Sequence, residues 1–369
     1  MDALPLQTRG LVTEASKAGY KLMPVILDDM RPDELLVEMK YSGICHTDLI
    51  GANGAYDYVL DFPAVLGHEG AGIIREVGSS VKDTNPKVGT SVILSFNHCG
   101  SCNNCNSQHP ACCVNFEALN LGARRLTDKT TSARLLDGRR GVSQFFGQSS
   151  FLNHSVVSKY PVIPCPYPED LAVYSALGCG FQTGAGTVLN SLQPTADDSL
   201  VVFGAGTVGI AAIMAAKYLG LRQIIAIDQI GERLTISKEQ GATHTINTQN
   251  TPDFIHEIHS ITGGGARYAL ECTGVSLFME KMLECVCCGG CAVVVGVPKP
   301  DFMLKIDPMK LLHENKTIRR NQFIPEMIEL HRSGNFPLEK LCTFYDVSKF
   351  EECIQDTREG KIIKPILRW

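Results

Sequence analysis

Two patterns of apolar and polar positions divide the chain. Up to about residue 170, short apolar runs such as ELLVEMKYSGI, GAGIIREVG and TSVILSF are separated by Gly, Pro and Asn. This pattern is typical of a domain built from short β-strands. From about residue 175 to 318, apolar runs of strand length alternate with helical stretches. The second pattern predicts a doubly wound α/β fold, a parallel sheet with helices on both faces.

One apolar run is long enough to consider as a transmembrane helix. Residues 199–216, SLVVFGAGTVGIAAIMAA, are 18 residues without a charge. Gly204, Gly206 and Gly209 interrupt the run, so we interpret it as a buried strand, a tight turn and an apolar helix, and we expect no membrane contact. Further on, FIPEMIELHRSGNFP predicts an amphipathic helix with a turn, and IIKPILRW predicts a terminal strand.

The composition limits the possible partners and the compartment. The chain has 369 residues and a net charge of −5, and the lack of a basic stripe predicts no nucleic-acid partner. At about 100–200 residues per domain, this length predicts two domains. The 15 cysteines would suggest a disulfide framework mainly in a short secreted chain. Since the start MDALPLQTRG lacks a signal-peptide pattern, we expect a cytoplasmic protein with reduced thiols, some of them bound to metal.

A dinucleotide fingerprint, GAGTVG, follows the strand LVVF. Gly204 allows the tight turn, Gly206 lets the backbone approach a pyrophosphate, and Gly209 permits close packing of helix on sheet. The next strand ends in Asp228, whose carboxylate suits a ribose, so we predict NAD(H) in preference to NADP(H). The alternative is a glycine-rich packing turn without a ligand. The predicted cofactor contacts here are Gly204, Gly206, Thr207, Val208, Gly209, Asp228 and Arg233.

Four closely spaced cysteines in FNHCGSCNNCNSQHPACC predict a structural zinc site. Cys99, Cys102, Cys105 and Cys113 lie in a loop rich in Asn, Ser and Gly, where four thiolates can enclose a tetrahedral Zn²⁺ without an open position. Cys112 competes with Cys113 as the fourth ligand. The alternative, a set of unrelated buried thiols, fits poorly with so polar a segment.

A second set of potential ligands is dispersed along the chain. Cys45 lies in GICHTD, His68 lies in GHEG, and Cys179 lies in GCG just before the predicted nucleotide domain. Two thiolates and one imidazole leave the fourth position of zinc open, which is the pattern of a catalytic site. Taken singly, each of these residues is more often an ordinary core thiol or histidine than a ligand.

Together these motifs resemble one enzyme family. GICHTD, GHEGAGIIREVG, the four-cysteine segment, FFGQSSF, LGCGFQTGAG and GAGTVG occur in the order of the zinc-dependent alcohol dehydrogenases of the medium-chain dehydrogenase/reductase superfamily. FFGQSSF and LGCGFQTGAGTVLN are most similar to the aryl (benzyl) alcohol dehydrogenase branch. The resemblance covers nearly the whole chain. It implies a GroES-like β-rich catalytic domain at 1–180, a Rossmann NAD-binding domain at 181–318 and a return to the catalytic domain at 319–369.

The resemblance also implies a role for individual residues. Cys45, His68 and Cys179 would bind a catalytic zinc whose fourth ligand is water or the substrate oxygen. Glu69 would be a neighbouring carboxylate that can approach the metal.

Further implied roles concern proton transfer and the cofactor. Thr47 would take the proton of the alcohol, and Asp48 would hold His68 in its metal-binding tautomer. The implied cofactor contacts outside the fingerprint are His46 at the pyrophosphate, Thr183 near the nicotinamide, Val297 near the carboxamide and Lys364 as a second phosphate cation.

We therefore expect a zinc-dependent alcohol dehydrogenase that transfers hydride between NAD(H) and a bulky, aromatic alcohol or aldehyde, in secondary metabolism. It would hold one catalytic and one structural zinc and form a homodimer or homotetramer, as its relatives usually do. One alternative is a non-catalytic module with impaired cofactor binding. Another is a redox-neutral or double-bond-reducing member of the same scaffold. The complete zinc-ligand set argues against the non-catalytic module and against a zinc-free reductase.

Three features depart from the family pattern. Ile50 replaces the relay histidine of many relatives, so the alcohol proton must leave by another route or through water. A stretch that normally follows KTIR is missing, and Arg319 is followed almost directly by FIP, which affects the expected cofactor affinity and subunit pairing. Ser95 replaces a bulky aromatic residue of liver-type enzymes, which predicts a roomier substrate pocket.

A further group of cysteines, ECVCCGGC at 284–291, has a spacing that suggests another metal site. It lies between an apolar helix and the strand AVVVGV, and the family has no metal there. We predict that these thiols are buried and behave as small hydrophobic side chains.

Overall fold

The chain forms two compact units. The computed structural model describes residues 4–81, 87–299, 301–319 and 326–369. The first unit comprises residues 1–179, 342–355 and 364–369, and the second unit comprises 180–341 and 356–363. The chain thus returns to the first unit at residue 342, whereas the sequence predicts a return at 319. The shortened segment at 320–325 lies outside the described residues.

The first unit contains short strands, as the pattern of apolar runs predicts. Its strands up to residue 164 are β1 (Leu6–Thr13), β2 (Lys21–Leu27), β3 (Glu34–Gly43), β4 (Ala64–Val65), β5 (Gly70–Val77), β6 (Ser91–Leu94), β7 (Ala133–Leu135), β8 (Arg140–Gly141), β9 (His154–Ser158) and β10 (Val162–Pro164). Its short helices are α1 (His46–Ala52), α2 (Asn103–Asn106), α3 (Phe116–Asn120) and α4 (Leu171–Tyr174).

The second unit alternates helices and strands. Its elements are α5 (Gly180–Gly186), β11 (Ser199–Phe203), α6 (Thr207–Tyr218), β12 (Gln223–Asp228), α7 (Gly231–Gln240), β13 (His244–Asn247), α8 (Phe254–Thr262), β14 (Ala266–Glu271), α9 (Ser276–Cys285), β15 (Val286–Val294), α10 (Pro308–Glu314), β16 (Thr317–Arg319) and α11 (Glu326–Arg332). The chain ends with β17 (Cys342–Asp346), α12 (Phe350–Arg358) and β18 (Lys364–Arg368).

Two sheets build the first unit. One has the order β4-β1-β2-β7-β8, and the other has the order β10-β6-β5-β3-β18-β17, with β9 also paired to β3. β18 runs antiparallel to β3 and places Ile366 opposite Gly43. This pairing brings the C-terminal strand to the end of β3, immediately before Cys45.

The second unit has one sheet in the order β13-β12-β11-β14-β15-β16, and every pairing in it is parallel. Its central strand β11 is buried along its whole length. In α6, all residues from Gly209 to Ala216 are buried, which explains the long apolar run as a strand, a turn and a core helix. In the described part of the chain, no helix has both the length and the apolar character needed to cross a membrane.

The cysteine group at 284–291 differs from its prediction. α9 ends at Cys285, and the other three cysteines lie within β15. Cys285 and Cys291 are buried as predicted, but Cys287 is half-buried and Cys288 is exposed. The reason is a register shift: Ala266 of β14 pairs with Val286 and Tyr268 pairs with Cys291, so residues 287–290 lie outside this register, and the continuously buried part of β15 begins at Gly290. Among the described residues, these thiols do not form a potential metal-binding group.

Candidate metal and cofactor sites

Cys45 lies at the N-terminus of α1, just after β3. Its backbone is extended (φ −113°, ψ 157°), and the helix begins at the following residue. The Asp48 carboxylate accepts a hydrogen bond from the Cys45 backbone N–H at 2.9 Å. An acidic side chain at the third helical position commonly makes this bond, because the N–H groups at a helix start lack partners within the helix. The bond fixes the backbone of Cys45 at the helix start.

The same carboxylate orients His68. Asp48 Oδ1 lies 2.8 Å from His68 Nδ1, as predicted, and it also accepts a hydrogen bond from the Gly67 N–H at 3.1 Å. Gly67 has φ +86°, and a Cβ atom there would clash with the backbone of Phe151, so only glycine fits this turn. The imidazole is fully buried, and its Nε2 atom has no hydrogen-bond partner among the residues that the structure describes. A buried nitrogen of this kind is suited to bind a metal.

The dispersed candidate ligands come together in the first unit. Cys45, His68, Glu69 and Cys179 each place a ligand atom within 4.8 Å of the others. The two sulfur atoms are 3.9 Å apart. The hydrogen bond between these sulfurs lowers the pKa of Cys45 well below its usual value, against the effect of burial, and the adjacent His68 lowers it further. Two sulfurs and an unpaired imidazole nitrogen fit a zinc ion.

A buried ion pair lies beside this group. The Lys364 ammonium contacts the Glu69 carboxylate and donates a hydrogen bond to the carbonyl oxygen of Ile44 at 3.3 Å. Burial lowers the pKa of Lys364, but the charges of Glu69 and Cys45 outweigh burial and raise it. A Cβ atom at Gly43 would overlap the Glu69 carboxylate, so this glycine makes room for the pair. The amine predicted to bind a phosphate therefore already has two partners.

The other predicted residues near Cys45 differ in their exposure. Thr47 is half-buried, and its Oγ1 atom lies 3.7 Å from Cys45 Sγ. His46 is exposed, while Ile50 packs against the hydrophobic core of the first unit. Ser95, the position predicted to widen the pocket, is buried and donates a hydrogen bond to the carbonyl oxygen of Gly178 at 3.1 Å.

Aromatic rings cluster at the His68 imidazole. Phe146 stacks on it, with ring centroids 4.5 Å apart and an interplanar angle of 25°, and Phe145 meets it edge-on at 5.8 Å. Phe96 and Phe116 lie 5.3 Å and 6.3 Å from the Phe146 ring. The sequence gives no local signal for these contacts, because the segments that carry them are far apart along the chain.

The four cysteines of the polar loop form a second group. Cys99, Cys102, Cys105 and Cys113 place their sulfur atoms within 4.8 Å of one another. Cys112, the competing candidate, is exposed and lies outside this group. Hydrogen bonds from backbone N–H groups lower the pKa of Cys99 to about 5, against a smaller effect of burial. A thiolate among four converging sulfurs fits a structural zinc ion.

In the second unit, the fingerprint glycines form the turn between β11 and α6. Gly204 has φ +91°, a left-handed conformation that favours glycine. A Cβ atom at Gly209 would overlap the carbonyl oxygen of Gly204, so the helix can approach the strand only without that side chain. A Cβ atom at Gly206 would meet no atom within 4 Å. This space beside the helix N-terminus can receive a phosphate.

Asp228 joins this turn from the end of β12. Its carboxylate accepts hydrogen bonds from the N–H groups of Ala205 at 2.8 Å and Ile230 at 2.9 Å. Arg233 is half-buried in α7, and its Nε atom is buried without a hydrogen-bond partner among the described residues. The remaining predicted contacts are half-buried or exposed, namely Thr183, Thr207, Val208 and Val297. Thr207 donates a hydrogen bond to the Ile363 carbonyl oxygen at 3.0 Å.

Two protein families match two parts of the chain. Residues 31–165 match the family described as alcohol dehydrogenase GroES-like domain, and residues 207–329 match the family described as zinc-binding dehydrogenase. A geraniol dehydrogenase of Castellaniella defragrans is 35% identical to this chain over 354 residues, which cover 93% of each protein.

Two solved structures resemble this chain over almost its full length. An alcohol dehydrogenase zinc-binding domain protein from Burkholderia ambifaria is 37% identical and superposes with a TM-score of 0.92, covering 98% of this chain and 99% of the other. The benzyl alcohol dehydrogenase from Acinetobacter calcoaceticus is 34% identical, with a TM-score of 0.91 and the same coverage. The predicted fold, a GroES-like domain with a Rossmann-like domain, is confirmed.

Proposed function

Because the chain belongs to the zinc-dependent alcohol dehydrogenases of the medium-chain dehydrogenase/reductase superfamily, we propose that it interconverts bulky, aromatic primary alcohols and their aldehydes with NAD(H). The chain is an oxidoreductase that acts on the CH–OH group of small-molecule alcohols. In the proposed oxidation, a hydride passes from the carbinol carbon to the nicotinamide of NAD⁺, and the hydroxyl proton passes to solvent. The observation that carries the proposal is the convergence of Cys45, His68 and Cys179, whose potential ligand atoms lie within 4.8 Å of one another, with the buried His68 Nε2 lacking a hydrogen-bond partner in the described part of the chain.

The proposal assigns one zinc to each of the two ligand groups. Cys45, His68 and Cys179 would hold the catalytic ion, with Glu69 close by, and the four cysteines of the polar loop would hold the structural ion. A zinc ion with an open position acts as a Lewis acid that polarises the substrate oxygen and lowers the pKa of an alcohol.

Several side chains would prepare this reaction. Asp48 holds the His68 ring through Nδ1, which would leave Nε2 to bind the zinc ion. The Thr47 hydroxyl, 3.7 Å from Cys45 Sγ, would accept the alcohol proton. Ile50 has no proton to exchange, so the proton would continue from Thr47 to water.

The preference for aromatic substrates rests on the ring cluster at His68. Phe146 covers one face of the imidazole, and Phe96 and Phe116 extend the aromatic surface. Aromatic rings favour stacked or edge-on contact with other rings, by about 0.5–1.5 kcal/mol beyond the burial of area. A benzyl-type substrate would gain such contacts, whereas a short aliphatic alcohol would not. The relative named for benzyl alcohol agrees with this preference, and the relative named for geraniol, a bulky primary alcohol without an aromatic ring, agrees with the proposed bulk of the substrate.

The preference for NAD(H) rests on Asp228. Its carboxylate lies beside the Ala205 N–H in the fingerprint turn, where it can accept hydrogen bonds from ribose hydroxyls and would repel a 2′-phosphate. The half-buried Arg233 in α7 is the second residue proposed to contact the ribose.

Assembly and compartment belong to the same proposal. Met303 (78% exposed) and Leu312 (72% exposed) are exposed apolar side chains in the segment that precedes the edge strand β16, which supports self-association of the second unit into a homodimer or homotetramer. Six cysteines proposed as zinc ligands must stay reduced, which supports a cytoplasmic location. Light scattering of the purified protein would measure the number of copies.

A substrate panel tests the proposed activity. Benzyl-type and short aliphatic alcohols are compared with NAD⁺ and NADP⁺, and the aldehydes are compared with NADH deuterated at C4. We expect the highest kcat/KM for aromatic alcohols with NAD⁺, and deuterium at the carbinol carbon of the product. Equal kcat/KM for ethanol and benzyl alcohol would refute the substrate assignment, and deuterium at an alkene carbon would refute the reaction.

A further inference from the structure

The segment FFGQSS, residues 145–150, is a buried and strained loop. All six of its residues are buried. Phe146 and Ser149 have φ of +53° and +44°, values that residues other than glycine rarely adopt, and Gly147 between them has φ +70°. Such conformations persist only where the surroundings hold them, and they occur often at functional sites. The proposed activity leaves most of this loop without a role.

The loop carries a fully buried amide, Gln148. Its Oε1 atom accepts a hydrogen bond from the Gly70 N–H at 3.0 Å. Its Nε2 atom donates to the carbonyl oxygens of His68 at 2.9 Å and Ser95 at 2.8 Å. One side chain thus joins the backbone on both sides of Glu69 to the end of β6.

Ser95 extends this connection to the other ligand segment. Its hydroxyl donates to the carbonyl oxygen of Gly178, the residue before Cys179, at 3.1 Å. A Cβ atom at Gly178 would overlap the carbonyl oxygen of Leu94, so the two segments touch at the backbone. Gln148 is therefore linked to the His68 backbone directly and to the Cys179 backbone through Ser95.

The loop also contacts the His68 side chain. The Phe146 ring stacks on the imidazole at 4.5 Å, and the left-handed backbone of Phe146 directly precedes the turn that carries Gln148. The loop therefore holds His68 by its ring and by its carbonyl oxygen.

We propose that Gln148 is a positioning residue for the catalytic metal site, which sets the backbones of the His68 and Cys179 segments at a fixed separation. This inference rests on the proposed function, since it assumes that Cys45, His68 and Cys179 bind zinc. The hydrogen bonds of the Gln148 amide go to backbone atoms of Gly70, His68 and Ser95 and not to the side-chain atoms that would bind zinc. Its loss should loosen the catalytic site while leaving the four-cysteine site unchanged.

The test compares two glutamines of the same loop region. Gln148→Met removes the three hydrogen bonds and keeps the side-chain volume. Gln144→Met is the matched control, because Gln144 is also buried but donates to the Glu34 carboxylate at 2.7 Å, away from the ligands. Zinc release from each holoenzyme into an excess of a colorimetric chelator is followed in time, and Cys45→Ser identifies which kinetic phase belongs to the catalytic site.

In Gln148→Met we expect the catalytic zinc to leave at least about tenfold faster than in the wild type, by analogy with the loss of other residues that support metal ligands. The second zinc should leave at the wild-type rate, and Gln144→Met should leave both rates unchanged. The cobalt-substituted Gln148→Met protein should also show a shifted absorption spectrum for the catalytic ion. A catalytic release rate within twofold of the wild type would overturn the proposal, as would equal acceleration at both sites or in both variants.

A second variant keeps the test decisive if Gln148→Met fails to fold. Gln148→Glu retains the acceptor for Gly70 but loses the amide donors to His68 and Ser95, so it should also release the catalytic zinc faster. An unchanged rate in Gln148→Glu would then overturn the inference. A wild-type protein that holds no zinc sensitive to Cys45→Ser would overturn the proposed function itself, which separates the two failures.

Discussion

Among individual residues, Asp48 connects local structure to chemistry. It accepts hydrogen bonds from the N–H groups of Cys45 and Gly67 and contacts Nδ1 of His68. The same carboxylate therefore stabilises the start of α1 and orients a proposed metal ligand. Placed beside helix N–H groups, its charge also interacts favourably with the helix dipole.

Replacing Asp228 with Ala tests the cofactor preference. The variant loses the carboxylate that would bind the ribose and repel a 2′-phosphate. We expect kcat/KM for NAD⁺ to fall about ten- to a hundredfold, in line with about 1.5–3 kcal/mol for hydrogen bonds to a charged group, and NADP⁺ to become a usable substrate. Steady-state kinetics with both cofactors measure the ratio. An unchanged ratio would show that Asp228 does not set the preference.

His98 predicts a pH dependence of stability. Burial against Tyr160, at 4.7 Å between ring centroids, lowers the pKa of His98 below its usual value of 6.5. The unfolded chain therefore binds the proton more readily, and stability is lost as the pH falls from 6.5 towards the lowered value. His98→Phe keeps the ring but cannot titrate. Between about pH 8 and 5.5, the wild-type melting temperature should fall more than that of the variant, and parallel curves would contradict this.

For the four-cysteine loop and the fingerprint turn, the spacing of residues along the sequence was enough to predict which residues form the candidate sites. Cys99 to Cys113 and the GAGTVG turn are local patterns, so the sequence contains most of the information. The choice between Cys112 and Cys113 is a matter of a single residue, and it needed the fold. Gln148 and the partner of Lys364 could not be predicted, because both depend on which distant backbone the folded chain brings next to them.

Among the helices and strands, the contact between β11 and α6 depends directly on two glycines of the sequence. Gly209 lies against the carbonyl oxygen of Gly204, while Gly206 lies beside open space. The two glycines therefore have different physical reasons for lacking a side chain. One permits packing, and the other leaves room for the proposed cofactor.

A pair of alanine variants separates these reasons. Gly209→Ala should lower the free energy of unfolding by about 1–3 kcal/mol, because the methyl group forces the helix away from the strand. Gly206→Ala should leave it unchanged within about 0.5 kcal/mol but weaken NADH binding by about tenfold or more, since the methyl group takes up phosphate space. Denaturant melts and fluorescence titration with NADH measure the two effects. Equal NADH affinity in Gly206→Ala and the wild type would contradict the phosphate assignment.

The elements themselves were largely predictable from the alternation of apolar runs. β11, α6 and β12 follow the interpretation of residues 199–228 as strand, turn, helix and strand. The cysteines of β15 were harder to place, since thiols and glycines do not show the alternation that distinguishes a buried position from an exposed one. The return to the first unit at residue 342 was also unpredictable, because membership of a unit depends on long-range packing.

In the molecule as a whole, each compact unit contains one part of the proposed chemistry. The first unit brings together all the candidate zinc ligands, and the second contains the fingerprint turn and Asp228. The family explains why both are present in one chain, since hydride transfer to a nicotinamide needs a bound substrate oxygen and a bound dinucleotide.

The central claim is that Cys45, His68 and Cys179 bind the zinc that supports alcohol oxidation. The most direct measurement is the zinc content and benzyl alcohol turnover of the wild type and Cys45→Ser, with Cys112→Ser as the control for an exposed thiol. We expect two zinc ions per chain in the wild type and in Cys112→Ser. In Cys45→Ser we expect one ion, no turnover and retained NADH binding. Two zinc ions or wild-type turnover in Cys45→Ser would contradict this claim.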